Sequence, residues 1–329
     1  MLFWLYINKL NFRKIKNLFL LQASYRWSYF IKKPCVWAEP VSYSIEPLNY
    51  CNLHCPECFV GNGELTRQKQ ILEVAGFQKI INQLPSSTAY LTLYFQGEPL
   101  LHPEFAKLVQ IVNKRGIFTS TSTNGHLLAD RGKAREIVQS GLDRLIISLD
   151  GTTQEVYEQY RRNGDFQKII DGIRNVTELK KELKSATPFV EIQFLVMRHN
   201  EHQIPDIKRL AKQLKADKLS LKSVQIYDFT NGSDLMPENK KYCRYQKQKD
   251  GSFRIKGRQH NRCLRHWSSA VITCSGDVVP CCFDKNAKYV FGNVFKQSLK
   301  EIWHSEKAGN FRQTILLNRK NIDICNNCF

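Results

Sequence analysis

The chain has 329 residues, of which 49 are Lys or Arg and 30 are Asp or Glu, so its formal net charge is +19. This length allows one large domain and a smaller one, and the charge favours anionic partners without indicating a fold. No helix-turn-helix or Arg-Gly repeat accompanies the charge, so nucleic acid is not the expected partner. The eleven cysteines are mostly clustered, which argues against a secreted, disulfide-bonded protein and for the reducing cytoplasm.

Residues 1–40 form an N-terminal extension that we predict as one or two short amphipathic helices. No charged region precedes the first apolar residues and Asn8-Lys9 interrupts them, so neither a signal peptide nor a spanning helix is expected. The solvent face is assigned Lys9, Arg13, Lys14 and Lys16, and burial is assigned to Leu10, Phe12, Leu18, Phe19 and Leu20. Packing against the domain is the expected role, and contact with a membrane surface is the alternative.

Between residues 41 and 228, short apolar runs alternate with amphipathic stretches, a pattern that predicts βα units and a parallel sheet. The predicted strands are 41–48, 89–95, 117–123, 143–149, 189–197 and 219–227, and the predicted helices are 73–84, 103–115, 130–140, 166–184 and 202–215. Six units are too few for a closed eight-stranded barrel. The predicted fold class is therefore α/β, a partial (βα)6 parallel barrel with functional residues at the carboxyl ends of its strands.

The first predicted strand leads into Cys51-Asn-Leu-His-Cys55-Pro-Glu-Cys58, which places three thiols within eight residues. Three thiolates on one loop can hold three corners of a cubane iron–sulfur cluster and leave its fourth iron open for chemistry. A structural zinc site needs a fourth ligand, and His54 is held on the same tight loop. Disulfide pairing would leave one of the three thiols over. We therefore predict a catalytic [4Fe–4S] cluster on Cys51, Cys55 and Cys58.

Polar residues recur after the later strands of the predicted barrel. The candidates are Gln96, Gly97 and Glu98 after strand two, Asn124 after strand three, and Ser148 and Arg161 after strand four. Gly97 would let a ligand approach the backbone, and Glu98 can accept a hydrogen bond from an ammonium group. Ordinary turns and a solvated helix end are the alternatives. Because packing does not explain such a recurrence, we predict one site at the mouth of the barrel.

Residues 229–260 lose this periodicity and are predicted to form a basic bridging segment, in which Cys243 is left unassigned. Residues 261–329 form a small cysteine-rich C-terminal domain, where residues 271–280 predict a hairpin that ends at Cys281. The pair Cys325 and Cys328 has the spacing of two ligands in a four-thiolate site.

The four predicted ligands of this C-terminal site are Cys263, Cys281, Cys325 and Cys328. Adjacent side chains of a strand point in opposite directions, so only one of Cys281 and Cys282 faces a given site, and the sequence does not decide which. Cys35 and Cys274 are left without a role. Zinc and an iron–sulfur cluster are both compatible with four thiolates.

A C-x3-C-x2-C loop after the first strand of an α/β chain resembles the signature of the radical S-adenosylmethionine (SAM) superfamily. The resemblance, from about residue 41 to 329, implies that SAM binds the open iron and is reductively cleaved to a 5′-deoxyadenosyl radical, which abstracts hydrogen from a substrate. Gln96-Gly97-Glu98-Pro99 is similar to the family's G-G-E-P motif for the SAM amino group, with Gln96 replacing its first glycine. Glu57 stands where the family often has an aromatic residue.

By the same resemblance, Asn124 lies near the nucleoside, and Ser148 and Arg161 lie near the ribose and the carboxylate of SAM. Cys263-Leu-Arg-His-Trp267, Gly276-Asp-Val-Val-Pro-Cys-Cys282 and the final C-x2-C resemble a SPASM extension, which binds auxiliary [4Fe–4S] clusters. The resemblance thus favours an iron–sulfur domain over a zinc site at the C-terminus. Because the longer cysteine array of the two-cluster form is absent, we expect one auxiliary [4Fe–4S] cluster.

The resemblance also implies partners. An electron donor such as a flavodoxin or ferredoxin is expected, and the substrate is a peptide or protein side chain or a small molecule, with the basic excess favouring an anionic one. The alternative from another class is a non-enzymatic metal-binding module with a basic nucleic-acid-binding surface. The three-ligand loop and the lack of a stripe of aromatic and basic residues argue against it.

Overall fold

The computed structural model describes residues 2–328. Its α-helices are Leu2–Ile7 (α1), Phe12–Ile31 (α2), Val74–Gln83 (α3), Phe105–Asn113 (α4), Arg131–Gln139 (α5), Gln154–Tyr160 (α6), Phe166–Glu182 (α7), Ile204–Gln213 (α8), Arg265–Ser268 (α9), Leu299–Trp303 (α10) and Glu306–Asn318 (α11). Its β-strands are Ser42–Ile45 (β1), Tyr90–Thr92 (β2), Phe118–Thr123 (β3), Arg144–Ser148 (β4), Phe189–Val196 (β5), Lys218–Ser223 (β6), Tyr245–Lys247 (β7), Phe253–Ile255 (β8), Ser269–Ile272 (β9), Asp277–Val279 (β10) and Gly292–Asn293 (β11).

The chain divides into two compact units. The first unit comprises the residues up to Tyr50, Leu65–Ser120 and the residues from Gln259 onward, and the second comprises Cys51–Glu64 and Thr121–Arg258. The peptide bond between Tyr50 and Cys51 therefore joins one unit to the other, immediately before the first cysteine of the predicted cluster loop.

In the first unit, strands follow the order β11-β10-β9-β1-β2-β3. Strand β1 pairs in parallel with both β2 and β9, and β2 pairs in parallel with β3, whereas β10 is antiparallel to β9 and β11. Buried and accessible side chains alternate along β1, as they do in a strand with one covered face. Tyr43 and Ile45 are buried, whereas Ser42 and Ser44 on the opposite face remain partly accessible. The predicted hairpin near residues 271–280 is confirmed as β9 and β10.

In the second unit, β4, β5 and β6 form parallel pairs in that order. Buried Glu191 of β5 binds Arg144 of β4 at 2.6 Å and accepts a hydrogen bond from Ser220 of β6 at 2.6 Å. The side chains thus link neighbouring strands in addition to the backbone ladder. All six predicted strands are present and shorter than predicted, and the α/β class with a parallel sheet is confirmed. The sequence did not predict α6 or the small β7–β8 hairpin.

The N-terminal helix α2 is turned differently from the prediction. Lys14 is 2% exposed, whereas Phe12 and Phe19 are 78% and 74% exposed. The Lys14 ammonium is satisfied by the carbonyls of Lys9 at 2.6 Å and Gly116 at 2.7 Å, which offsets its desolvation. The predicted solvent and buried faces are therefore wrong at these positions.

Within residues 2–328, no helix combines the length and the hydropathy that crossing a membrane requires.

Candidate iron–sulfur and SAM site

The loop with Cys51, Cys55 and Cys58 is held by its own backbone. Cys58 N–H donates to the Cys55 carbonyl at 3.2 Å, and Leu53 N–H donates to the sulfur of Cys51 at 3.4 Å. A Cβ on Gly61 would lie only 2.6 Å from the Cys55 nitrogen, so glycine is required for the loop to close. The result is a compact turn that carries all three cysteines and in which the Cys51 sulfur accepts a backbone hydrogen bond.

Arg161 and Asp150 support this loop within the second unit. The Arg161 Nε donates to Asp150 at 2.6 Å, and its Nη1 lies 3.6 Å from the sulfur of Cys55. Burial raises the pKa of the Cys55 thiol, and the neighbouring guanidinium opposes that shift. Asp150 is fully buried and also accepts from the Leu195 N–H at 2.7 Å. Sequence reasoning missed Asp150, although its place just after β4 was the available signal.

Asn124 lies directly after β3 and contacts the same loop. Its amide donates to the Asn52 side chain at 2.8 Å and lies 3.9 Å from the sulfur of Cys51. Ser148 is the last residue of β4 and is 7% exposed. Asn124 and Arg161 are thus both beside the cysteine loop, as the strand-end argument expects for a site of this kind.

The sequence Gln96-Gly97-Glu98 belongs to the first unit and contacts the segment that leads to the cysteines. Gly97 has φ +76°, and a Cβ there would lie 2.6 Å from the Tyr50 carbonyl oxygen. Glu98 N–H donates to the same carbonyl at 2.9 Å, and the Glu98 side chain accepts from Leu100 N–H at 3.0 Å. The immediate neighbour of Gly97 is therefore the protein's own backbone, one residue before Cys51.

Glu46, one residue after β1, is a buried acid that the sequence analysis missed. Both of its oxygens bind the Arg67 guanidinium at 2.6 Å, and they also accept from the backbone N–H groups of Gln96 and Cys274. A bidentate pair of this kind fixes geometry as well as charge. Glu46 therefore positions the Gln96 backbone. Burial, and then Glu46, raise the pKa of the Cys274 thiol.

The predicted C-terminal ligands Cys263, Cys281, Cys325 and Cys328 all belong to the first unit. Burial raises the pKa of Cys263, Cys281 and Cys325, and each of these thiols is within electrostatic range of at least one other predicted ligand, including Cys328. Arg319 lies beside Cys263, Cys325 and Cys328 and is 5% exposed. The buried guanidinium is suited to offset the negative charge of several thiolates.

Cys281 and Cys282 differ in their surroundings. Cys281 is 8% exposed and is within electrostatic range of Cys263 and Cys325. Cys282 is half-buried, and its sulfur accepts from Arg265 Nη1 at 3.5 Å. These surroundings favour Cys281 over Cys282 as the ligand that joins Cys263 and Cys325.

A cavity of about 500 Å³ in the first unit adjoins this region. Its polar lining consists largely of hydroxyls from β1, β2 and neighbouring residues, with two cations and two thiols, namely Ser42, Ser44, Tyr90, Thr92, Tyr94, Ser268, Ser269, Arg265, Lys285, Cys281 and Cys282. No carboxylate of the described residues lines it. The cavity is therefore a positively charged, hydroxyl-rich space beside a candidate cluster ligand.

The residue types at both predicted sites are those that hold iron–sulfur clusters. Thiolates suit iron–sulfur centres, and hydrogen bonds to sulfur tune them. The buried Nε of Arg319 has no hydrogen-bond partner among the described residues, although the guanidinium lies beside three thiols, and cluster sulfur would be a suitable acceptor. In residues 2–328, no three or more His, Cys, Asp or Glu side chains are arranged to hold a metal ion.

A parallel α/β fold with three thiols on the loop after its first strand defines an enzyme class that builds its reactive centre on an iron–sulfur cluster. Residues 45–211 match the model of the radical SAM superfamily, and residues 263–329 match SPASM, an iron–sulfur cluster-binding domain. The chain belongs to the radical SAM superfamily and is a radical SAM enzyme. Its cofactors are a catalytic [4Fe–4S] cluster and SAM, and its SPASM domain binds auxiliary iron–sulfur clusters.

Curated relatives match most of the chain. A tungsten-containing aldehyde ferredoxin oxidoreductase cofactor-modifying protein of Pyrococcus furiosus is 27% identical over 82% of this chain and 82% of its own. A PqqA peptide cyclase of Bradyrhizobium diazoefficiens is 25% identical over 82% of this chain and 74% of its own. A structure of Streptococcus suis SuiB bound to the precursor peptide SuiA has a TM-score of 0.63 and 15% identity, covering 84% of this chain and 67% of that one. The last similarity supports the fold.

Proposed function

We propose that this enzyme abstracts a hydrogen atom from an acidic peptide or protein substrate. The observation that carries the proposal is the loop of Cys51, Cys55 and Cys58, whose sulfurs are approached by Arg161 and Asn124 within a matched radical SAM region. When bound there, the [4Fe–4S] cluster would supply the electron that cleaves SAM to methionine and a 5′-deoxyadenosyl radical. The protein's own residues bind and orient SAM and exclude water from the radical.

Roles for the predicted SAM residues follow from their chemistry. Glu98 would accept from the SAM amino group beside the Gln96 and Gly97 backbone, and the Arg161 fork would receive the carboxylate. Asn124 and Ser148 would contact the nucleoside. Arg161 already binds Asp150, which holds its guanidinium in one orientation before SAM arrives.

We further propose one auxiliary [4Fe–4S] cluster on Cys263, Cys281, Cys325 and Cys328. The electrostatic coupling of these thiols and the nearby Arg319 support this ligand set. A fully ligated cluster held by these thiols would accept an electron from the substrate radical, which is oxidised by that loss, or organise the substrate channel. Full ligation leaves no iron open for SAM.

The cavity beside Cys281 supports an acidic substrate. Arg265 and Lys285 line it, and neither forms a salt bridge with a carboxylate of the described residues. Two of the relatives above act on or bind peptides by name, as PqqA peptide cyclase and SuiB with its precursor peptide. The net charge of +19 would also favour encounter with an acidic electron donor such as a flavodoxin or ferredoxin. We place these reactions in the reducing cytoplasm because the cysteine-rich sites require reduced thiols.

The reaction type is tested by anaerobic reconstitution with iron and sulfide, followed by addition of SAM and a strong reductant. We expect about eight irons per chain and release of 5′-deoxyadenosine and methionine. Bound zinc without SAM cleavage would contradict the proposal and revive the non-enzymatic metal-binding module with a nucleic-acid-binding surface.

The substrate class is tested with two synthetic peptide libraries that differ only in having Asp and Glu or the matched Asn and Gln. We expect the acidic library alone to stimulate deoxyadenosine release. Lys285→Glu should weaken this stimulation about tenfold, since it replaces an attraction by a repulsion in the cavity. Lys296→Glu is the control, because Lys296 is exposed and gives the same change in net charge. Equal stimulation by both libraries would contradict the acidic assignment while leaving SAM cleavage intact.

A further inference from the structure

The exposed apolar side chains of the first unit are concentrated in its N-terminal helices. Nine of the thirteen most exposed large hydrophobic residues in the described chain fall within residues 3–37. We call them the aromatic face, namely Phe3, Trp4, Phe12, Ile15, Phe19, Trp27, Tyr29, Phe30 and Trp37. Scattered exposure of single hydrophobic residues is ordinary, but a patch of this kind marks an interaction surface.

The rotation of α2 is fixed by polar contacts on its opposite side. The buried positions are Lys14, Asn17, Leu21, Ser24 and Ser28. The Asn17 side chain exchanges two hydrogen bonds with the Glu39 backbone, and the Ser28 hydroxyl exchanges two with the Cys35 backbone. Turning the helix to bury its aromatic residues would break all of these bonds, so the outward direction of the aromatic face is built in.

Helical geometry shows that the exposed side chains form one continuous strip. At 3.6 residues per turn, Phe12, Phe19 and Phe30 fall within about 20° of one line along α2. Ile15 and Trp27 lie about 60° to either side, and the buried positions are about 120° to 200° away. The strip therefore points away from the surface on which the helix packs.

The charge of the N-terminal segment indicates which kind of surface the aromatic face binds. Residues 1–38 contain seven Lys or Arg and no Asp or Glu, the first acidic residue being Glu39. Exposed Lys16 and Arg26 lie about 40° from the phenylalanine line on opposite sides of it, so cations are interspersed with the apolar side chains of the strip. Aromatic residues interspersed with cations, on a helix that lies flat, are the composition that binds the headgroup boundary of an anionic membrane.

We propose that the aromatic face docks this enzyme on an anionic lipid surface, with α2 lying in the plane of the interface. The helix needs no spanning length for this role, because its apolar side chains enter only the outer part of the bilayer. The docking is independent of the proposed chemistry and would hold the enzyme at a membrane without altering the cluster sites.

The test uses the full-length protein and vesicles of phosphatidylcholine with or without phosphatidylglycerol. We expect flotation with the anionic vesicles only, weakened by high salt, which shortens the Debye length. Three of the five tryptophans, Trp4, Trp27 and Trp37, lie on the aromatic face, whereas Trp267 and Trp303 are buried. Binding should therefore shift the tryptophan emission to shorter wavelength.

The variants Phe19→Ser and Phe30→Ser should each lower partitioning about tenfold, because each removes one buried aromatic side chain. Arg13→Gln and Lys16→Gln should each lower it about fivefold on anionic vesicles. Leu317→Ser is the control, since Leu317 is 58% exposed but lies on α11. All variants should retain deoxyadenosine release.

Failure of the wild-type protein to float with anionic vesicles would overturn the proposal. Equal flotation of the Phe19→Ser and Phe30→Ser variants would overturn it as well. Size-exclusion chromatography tests the alternative that the aromatic face binds a second copy of this chain. That alternative requires a dimer that the two variants convert to a monomer, together with no vesicle binding.

Discussion

Replacing Cys51 by alanine is expected to reduce deoxyadenosine release to background and to remove about four of the eight irons per chain. The physical reason is that three thiolates are the whole protein ligation of the proposed catalytic cluster. The Cys51 sulfur also accepts from the Leu53 N–H and lies beside Asn124, so alanine removes the acceptor of these donors. Anaerobic reconstitution, iron quantification and chromatographic detection of deoxyadenosine measure the effect.

Cys243→Ala is the matched control for this experiment. Cys243 packs against the same buried cluster of the second unit as Cys51, Cys55 and Cys58, but its sulfur donates to the Tyr245 carbonyl at 3.3 Å. We expect this variant to keep all its iron and its SAM cleavage. Retained cleavage in Cys51→Ala would contradict the proposed ligand set, and loss of iron in Cys243→Ala would extend it.

Cys281→Ala and Cys282→Ala should differ sharply although the residues are adjacent. We expect Cys281→Ala to lose about four irons and substrate conversion while keeping SAM cleavage, because it removes a thiolate that faces Cys263 and Cys325. Cys282→Ala should retain about eight irons, since Cys282 faces Arg265. Iron content and electron paramagnetic resonance of the reduced protein distinguish the two variants.

The opposite pattern would assign the cluster to Cys282, and no loss in either variant would remove both from the ligand set. Cys325→Ala provides an independent check on the same cluster from another part of the chain. If it also spares SAM cleavage and abolishes conversion, the catalytic and auxiliary sites are separate in function, as proposed.

Local sequence patterns determined much of the secondary structure of this protein and the spacing of Cys51, Cys55 and Cys58. The apolar runs that become β4 and β5 are strand-forming because their side chains are buried on sheet faces. All six predicted strands appear where the sequence predicts them. The cysteine spacing at 51–58 is equally local, since a short loop fixes the relative positions of its own thiols. The candidate Asn124 follows β3 directly, whereas Arg161 lies after α6, and both contact the cysteine loop.

Only the tertiary structure revealed Glu46 as the buried partner of Arg67, because a single acid after a strand carries no signal until its partner's position is known. It likewise showed that the Gly97 backbone lies close to the Tyr50 backbone. The preference for Cys281 over Cys282 came from two cysteines distant in the sequence, Cys263 and Cys325.

The orientation of α2 shows most directly why the sequence alone did not decide which side chains are buried. Composition assigns Lys14 to solvent and Phe19 to the core, and burial follows hydropathy where a helix has only an apolar surface to pack against. Here the surface offers carbonyls and backbone N–H groups, so hydrogen bonds to Lys14, Asn17 and Ser28 decide the rotation. The sequence by itself determined the strands, the cysteine loop and the family, while the tertiary structure decided which faces of the elements are buried and which polar side chains pair.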